Sequence, residues 1–442
     1  MNTAAAGTPR AFVKPEVLAP AGDPVKLRTA ERFGADAVYL SGKRYGLRSA
    51  CANFSEEELG EASDHMHARG KKLYLTVNTL PRADEYPGLE RFLRNISGMG
   101  IDGFIAADPG VISLLREVMP GAKIHISTQA GVTSPRTALA YAAAGASRLV
   151  LARELGLSDI SAIRAALPGS VSLEVFVHGA MCVSWSGRCL LSNALAGRDA
   201  NRGECAQPCR WNYALIEEKR PGQPIPVEED RYGTFIMSSK DLCLIDFIGE
   251  LAAAGAASFK IEGRVKSAYY AAAVTGAYRI AVDALTDHVR AGGAPEDFRP
   301  DPSLMRELES VSHREYCTGF LHVTPAENAQ VVRDTDYIRE RPFLAVSAPG
   351  DIPGGAAAGA AARGERVFRF IQKNRVTAGD SAELLTPGRT GIPFVFRSLF
   401  DAEGNPVTSA PHPGMVFFAS VDGDISPLEG DIVRGGGKAS GE

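Results

Sequence analysis

Short β-branched apolar runs recur along the first 261 residues of this chain, each followed by a stretch rich in Ala, Leu, Glu and Arg. The runs are Glu16–Ala19, Ala37–Leu40, Lys72–Val77, Gly103–Ala106, Lys123–Ile126, Arg148–Leu151, Ser172–Val177 and Ser258–Ile261. Helical stretches such as Lys26–Phe33, Glu56–Ala68, Val111–Val118 and Pro135–Ala143 lie between them. Strand–helix alternation of this kind implies βα units and a parallel sheet. Eight units in about 250 residues is the size of a (β/α)8, TIM-barrel-like domain, here spanning residues 14–300. A doubly wound sheet is the alternative. It normally has fewer strands and often opens on a G-x-G-x-x-G turn, whereas the first turn here is Pro20-Ala-Gly-Asp23.

The rhythm breaks twice. Residues 178–256 form a long insertion before the last strand, with one more strand-like piece at Thr234–Ser238. An insertion at the C-terminal end of a barrel strand is where such folds carry chemistry. After residue 300 a connector with a helix, 301–340, leads to alternating runs at Phe343–Ser347, Arg366–Gln372, Phe394–Leu399 and Gly414–Val421. Gly/Pro-rich turns between them predict a small all-β barrel domain at 341–434. Gly354–Ala362 contains only Ala and Gly and reads as a loose loop. Residues 1–13 and 435–442 read as flexible ends.

Charge and hydropathy narrow the partners. With 48 Lys+Arg against 52 Asp+Glu the net charge is −4, so any nucleic-acid contact must come from a local basic patch. No apolar run reaches the ~18 residues of a membrane span, and no signal peptide stands at the start. The expectation is a cytoplasmic protein without a membrane partner.

Four of the seven cysteines, Cys182, Cys189, Cys205 and Cys209, fall within 28 residues, spaced C-x6-C-x15-C-x3-C. In a reducing compartment such clustering favours metal chemistry over disulfides. Four thiolates satisfy zinc or an iron–sulfur cluster. Structural zinc sites usually pair C-x2-C knuckles, so the irregular gaps suit a cubane cluster better. Buried free cysteines are the bland alternative.

Polar residues also stand at the C-terminal ends of the predicted strands: Lys43 and Arg44, Asn78, Asp108, Ser127 to Gln129, Arg153 and Glu154, His178, then Glu262 and Arg264. In a barrel they converge on one mouth. Glu174 and His178 are acid–base candidates. Basic residues cluster twice. Arg188, Arg198, Arg202 and Arg210 lie among the cysteines with Trp185 and Trp211, and Arg363, Arg366, Arg369, Lys373 and Arg375 lie in the β domain. Arg366, Arg369 and Lys373 are the candidate phosphate contacts, with a solvated charged face as the alternative. No H-E-x-x-H helix or G-x-S-x-G elbow occurs. Cys182 with His178 as base would be the local cysteine-nucleophile arrangement.

The stretch Glu174-Val-Phe-Val-His178-Gly-Ala-Met-Cys182 through Cys189 to Ser192 resembles the signature of peptidase family U32, the collagenase-like proteases. Leu18-Ala-Pro-Ala-Gly-Asp23, Ser238-Ser-Lys-Asp-Leu242, Phe259-Lys-Ile-Glu-Gly-Arg-Val-Lys266 and Ser312-His-Arg-Glu-Tyr-Cys-Thr-Gly-Phe320 are similar to its other blocks, so the resemblance covers about residues 14–330. The β domain resembles the family's translation-factor-like C-terminal barrel. The resemblance implies a (β/α) barrel and, for members with four such cysteines, oxygen-independent hydroxylation with a 4Fe-4S cluster. A single barrel plus a short β domain is similar to the branch that converts a tRNA wobble uridine to 5-hydroxyuridine, with prephenate as the implied oxygen source. Such a small carboxylate donor would meet Lys43, Arg44, Asn78, Gln129, Lys260, Glu262 and Arg264 at the mouth. Cys243 matches a cluster ligand in quinone-branch relatives that lack the equivalent of Cys209, so either could be the fourth ligand. Cys51 and Cys317 read as structural. Hydroxylation of ribosomal RNA or of a quinone precursor, proteolysis, and a binding protein with a structural cluster are the competing readings.

Overall fold

The computed structural model describes residues 12–48, 52–181, 191–198, 203–208, 229–230, 233–234, 240–322 and 338–436. Seven parallel strands lead the fold: β1 (Glu16–Pro20), β2 (Ala37–Ser41), β3 (Lys72–Val77), β4 (Gly103–Ala106), β5 (Ile124–Ile126), β6 (Arg148–Val150) and β7 (Ser172–Ala180). After a two-residue hairpin, β8 (Glu229–Asp230) with β9 (Gly233–Thr234), come β10 (Asp241–Cys243) and β11 (Ala256–Ile261). The last of these pairs in parallel with both β1 and β7, closing an eight-stranded barrel. The expected TIM-like domain is therefore present.

Several crossover helices start on a local signal. In α1 (Pro24–Arg32) the Asp23 side chain accepts from Lys26 N, and proline occupies the first helical turn. The same capping by Ser55, Asp108 and Ser134 opens α2 (Glu56–His67), α4 (Pro109–Val118) and α5 (Pro135–Ala143), with α3 (Tyr86–Ile96) between them. Such caps satisfy donors the first turn leaves unpaired, and proline there costs no hydrogen bond. The ring continues through α6 (Leu157–Ala166), α7 (Leu191–Ala196) in the insertion, α8 (Ile248–Ala253) and α9 (Ala268–Arg290). One large core lies between sheet and helices. Inside the barrel, Leu18, Ala37, Tyr39, Tyr74 and Ile105 form a second, smaller cluster.

The wall is extended on one side. β10 pairs antiparallel with the end of β7, Asp241 opposite Ala180 and Cys243 opposite His178. That pairing carries β7 past Val177, where the apolar run alone would end it. The connector contributes α10 (Ser303–Glu309) and β12 (Tyr316–Cys317), which pairs with β10.

The C-terminal strands are β13 (Phe343–Ser347), β14 (Arg366–Gln372), β15 (Val376–Thr377), β16 (Ser381–Leu385), β17 (Ile392–Phe400), β18 (Pro406–Val407), β19 (Ser409–Ala410), β20 (Val416–Asp422) and β21 (Ile432–Gly435). Six of them run in the order β16-β21-β13-β14-β20-β17, and β16 pairs with β17 to close an antiparallel barrel. Gly354–Ala362 is not a loop. It forms helix α11 (Gly355–Ala362). Alanine is the strongest helix former, and Ala357 and Ala360 are buried against Val367, Phe400 and Phe418. Gly435 is likewise a strand residue, opposite Ala382, rather than the start of a tail.

Candidate active site at the barrel mouth

A small polar cavity of about 60 Å³ lies at the C-terminal ends of the strands. Asn78, Ser127, Thr128, Gln129, Arg153, Lys260, Glu262 and Arg264, all read as strand-end or strand-borne candidates, line it. Tyr39, Arg48, Thr76 and Phe176 line it too and were missed. Tyr39 is an inward position of β2, which alternation signals. Arg48 is not signalled: it enters because its backbone is left-handed, φ 73°. Asp108 is elsewhere, capping α4 and accepting from the Tyr86 hydroxyl at 2.9 Å.

Glu262 organises the cationic wall. Its Oε1 lies 3.6 Å from Arg48 Nη2 and its Oε2 lies 3.2 Å from the Tyr39 hydroxyl. Burial alone would raise the Glu262 carboxyl. The charges of Arg48, Arg153 and Arg264 hold it below its ordinary value. Arg264 donates to the Leu47 carbonyl, and Arg153 to the Ala180 carbonyl at 2.7 Å.

Beneath the mouth runs a buried chain of charges. Arg148 Nη1 bridges Glu16 Oε1 at 2.6 Å and Glu174 Oε2 at 3.1 Å. Glu174 Oε1 in turn holds Lys260 Nζ at 2.8 Å. The Lys260 ammonium sits 4.4 Å from the Tyr39 ring centroid and 5.5 Å from that of Phe176. Burial would raise Glu174, but Lys260 and Arg148 lower it on balance. Glu174 thus stands behind Lys260, inside the barrel.

His178 is not beside it. Its ring lies between Tyr270 and Tyr278 of α9 and Tyr316 of β12, with centroids 5.3–6.0 Å away. Burial, then the neighbouring His313 and Lys266, push it down to about 3, so it is neutral. Tyr316 Oη is 3.4 Å from Nε2. The structure therefore does not bring Glu174 and His178 together.

Lys43 and Arg44 line a second cavity, separated from the first by Gly46–Arg48. Of the proposed cluster ligands, Cys182, Cys189 and Cys209 lie outside the described residues, as do Trp185, Trp211, Arg188, Arg202, Arg210 and Cys51. Cys205 is half-buried on a segment packed on that same loop. A Cβ on Gly203 would meet the Gly46 carbonyl oxygen at 3.1 Å, and its φ of 95° suits glycine alone. Ala206 N donates to Ser192 Oγ at 3.0 Å. Cys243 is buried in the outer core, its thiol pushed up to about 12 by burial, and Cys317 is half-buried on β12. Among the described residues no three His, Cys, Asp or Glu side chains gather as a metal site. In the β domain, Arg366 donates to the carbonyls of Gly423 and Ile425 and pairs with Asp424 at 3.0 Å. Arg369 donates to the Pro349 carbonyl at 2.5 Å, and Lys373 is exposed.

Peptidase family U32 matches residues 22–331, and the family's C-terminal domain matches 358–434. The chain belongs to peptidase family U32. This U32 protein is 34% identical to a tRNA hydroxylation protein of Bacillus subtilis over 94% of its own length and 93% of that protein's. It is 35% identical to a tRNA hydroxylation protein of Escherichia coli, covering 93% of this chain and 95% of the relative. A ribosomal-RNA 5-hydroxycytidine synthase of Escherichia coli is 36% identical, over 68% of this chain and 44% of the relative. Among the described residues no helix is long and apolar enough to cross a membrane.

Proposed function

We propose that this U32 protein is an RNA-modifying enzyme that hydroxylates tRNA, at the wobble uridine, to give 5-hydroxyuridine. The observation that carries this is near full-length similarity to tRNA hydroxylation proteins, at 94% and 93% of the chain. The mouth supports it. Four cations, Arg48, Arg153, Lys260 and Arg264, surround one carboxylate, Glu262, which suits a small dianionic donor such as prephenate, whose two carboxylates they would hold.

A 4Fe-4S cluster fits the donor set: four thiolates within 28 residues, one of them, Cys205, on a segment packed against the mouth loop. Cys182, Cys189, Cys205 and Cys209 would hold it. Cys243 is the alternative fourth ligand, though it lies in the core against Tyr278. When bound, the cluster would supply redox or Lewis-acid chemistry. The protein's own residues bind and orient the donor: Lys260 is fixed by Glu174, and Glu262 holds the Arg48 side of the wall.

Mass spectrometry of tRNA nucleosides from a deletion strain tests the reading. Loss of 5-hydroxyuridine and its derivatives, restored by wild-type protein but not by Cys189→Ala, is the expected result. Unchanged nucleosides would overturn it. Gelatin cleavage by homogeneous protein, abolished in Cys182→Ala, would favour the peptidase reading instead.

A further inference from the structure

The second cavity, about 430 Å³, is lined by the β2–α2 loop, the turn after β3, and Glu204 of the insertion. Its chemistry differs from that of the mouth. Lys43 and Arg44 are exposed on one loop, and the charge of Lys43 also reaches the Glu57 carboxyl of α2. Asp84, Glu85 and Glu204 bring carboxylates from two other segments. Between them lies Tyr45. Its backbone is left-handed, φ 63°, a conformation unusual for an aromatic residue. It is pinned there because its carbonyl accepts from Thr79 N at 3.4 Å and Thr79 Oγ1 at 3.1 Å. The ring rests on Phe92 at 5.5 Å. Gly88 leaves it room, since a Cβ there would lie 2.6 Å from the Tyr45 hydroxyl oxygen.

A strained residue held by its surroundings points toward function. A free dianion is poorly served by three carboxylates. A ligand carrying one phosphate, an aromatic face and several N–H or O–H donors is well served. We propose that this cavity is a nucleotide pocket for the RNA substrate: one ribonucleotide stacks its base on Tyr45, sets its phosphate against Lys43 and Arg44, and donates from its ribose or base to the carboxylates. The inference rests on the RNA reading above and adds to it where the strand is gripped. Gly46–Arg48 separates this pocket from the donor mouth, and Glu204 adjoins Cys205, so a gripped nucleotide lies next to both.

The test is fluorescence anisotropy of the full-length protein with a labelled, unmodified tRNA anticodon stem-loop, across a salt series. Tyr45→Leu should weaken binding roughly 10-fold, the scale of one lost base stack, and Tyr45→Phe should restore most of it. Lys43→Ala with Arg44→Ala should lower the salt slope by about 0.7 log units per lost phosphate contact. Thermal melting of each variant separates loss of fold from loss of grip. Wild-type binding that is unchanged in all of these variants overturns the pocket and leaves the RNA reading standing. No binding by wild-type protein overturns both.

Discussion

Glu174 has a charge on each side, and both matter to what lies above it. Arg148 ties it to Glu16, and Lys260 projects from it into the mouth. Removing one member of a buried, hydrogen-bonded charge set leaves the others uncompensated, at a cost of about 3–5 kcal/mol. Glu174→Gln is therefore expected to lower the unfolding free energy by that order. The pH dependence has a definite sign. Glu16 and Glu174 are both held below the ordinary 4.5 of a glutamate despite burial. Their contribution is fully present above that unfolded-state value and is lost as the pH falls through their folded-state values. Denaturant melts at pH 7, 5 and 4 should show wild type losing stability faster than Glu174→Gln below pH 5. Parallel curves would mean the pair titrates alike in both states. Asn78, Gln129, Glu262 and Arg264 were legible at the mouth because each lies within three residues of the end of a readable strand. Lys43 and Arg44 were misplaced by one loop, since the left-handed turns at Tyr45 and Arg48 leave no local pattern in residue types.

At the scale of elements, the strands were legible because apolar β-branched runs have few other uses, and because Asp or Ser before proline restarts α1, α4 and α5. Helix α11 was not, since alanine and glycine give no polarity pattern; only burial against Val367, Phe400 and Phe418 reveals its inner face. That face is closely packed, so Ala360→Leu should cost about 1–3 kcal/mol by overpacking, read as a lowered Tm, whereas a solvated loop would be indifferent. Strand β14 shows a different limit. Arg366 and Lys373, just past its end, look equivalent in sequence and are both exposed, but Arg366 is bound to Asp424 and two carbonyls. Lys373→Ala is expected to leave Tm unchanged and to lower the salt slope of tRNA binding by up to ~0.9 log units. Arg366→Ala should lower Tm. The reverse pattern would make Arg366 the phosphate contact and Lys373 a bystander.

For the whole molecule, the arrangement of the two barrels rests on a few buried charges. Arg434 of β21 reaches Glu307 of α10 at 2.8 Å with both terminal nitrogens, Glu383 of β16 at 2.6 Å, and Ser310 Oγ at 2.5 Å. Glu307 also accepts from Gly391 N at 3.0 Å, and Arg32 of α1 meets Asp431 at 2.5 Å. Around these, Leu385 and Ile432 join the core of the larger barrel. An apolar interface alone is non-directional, but hydrogen-bonded ion pairs fix an orientation. A tRNA spanning the nucleotide pocket and the β domain would need both at a set distance. Arg434→Met keeps most of the volume while taking the arginine from Glu307 and leaving Glu383 with Arg341 alone. Its expected signature is specific: two calorimetric transitions where wild type shows one, and a fall in kcat/KM for tRNA larger than the fall for an isolated anticodon stem-loop. On the proposed reading the short RNA would engage only the barrel, so it would be indifferent to where the β domain points. Equal losses on both RNAs would place the damage in the mouth itself, and a single unshifted transition would show that the apolar contacts hold the two barrels together without Arg434.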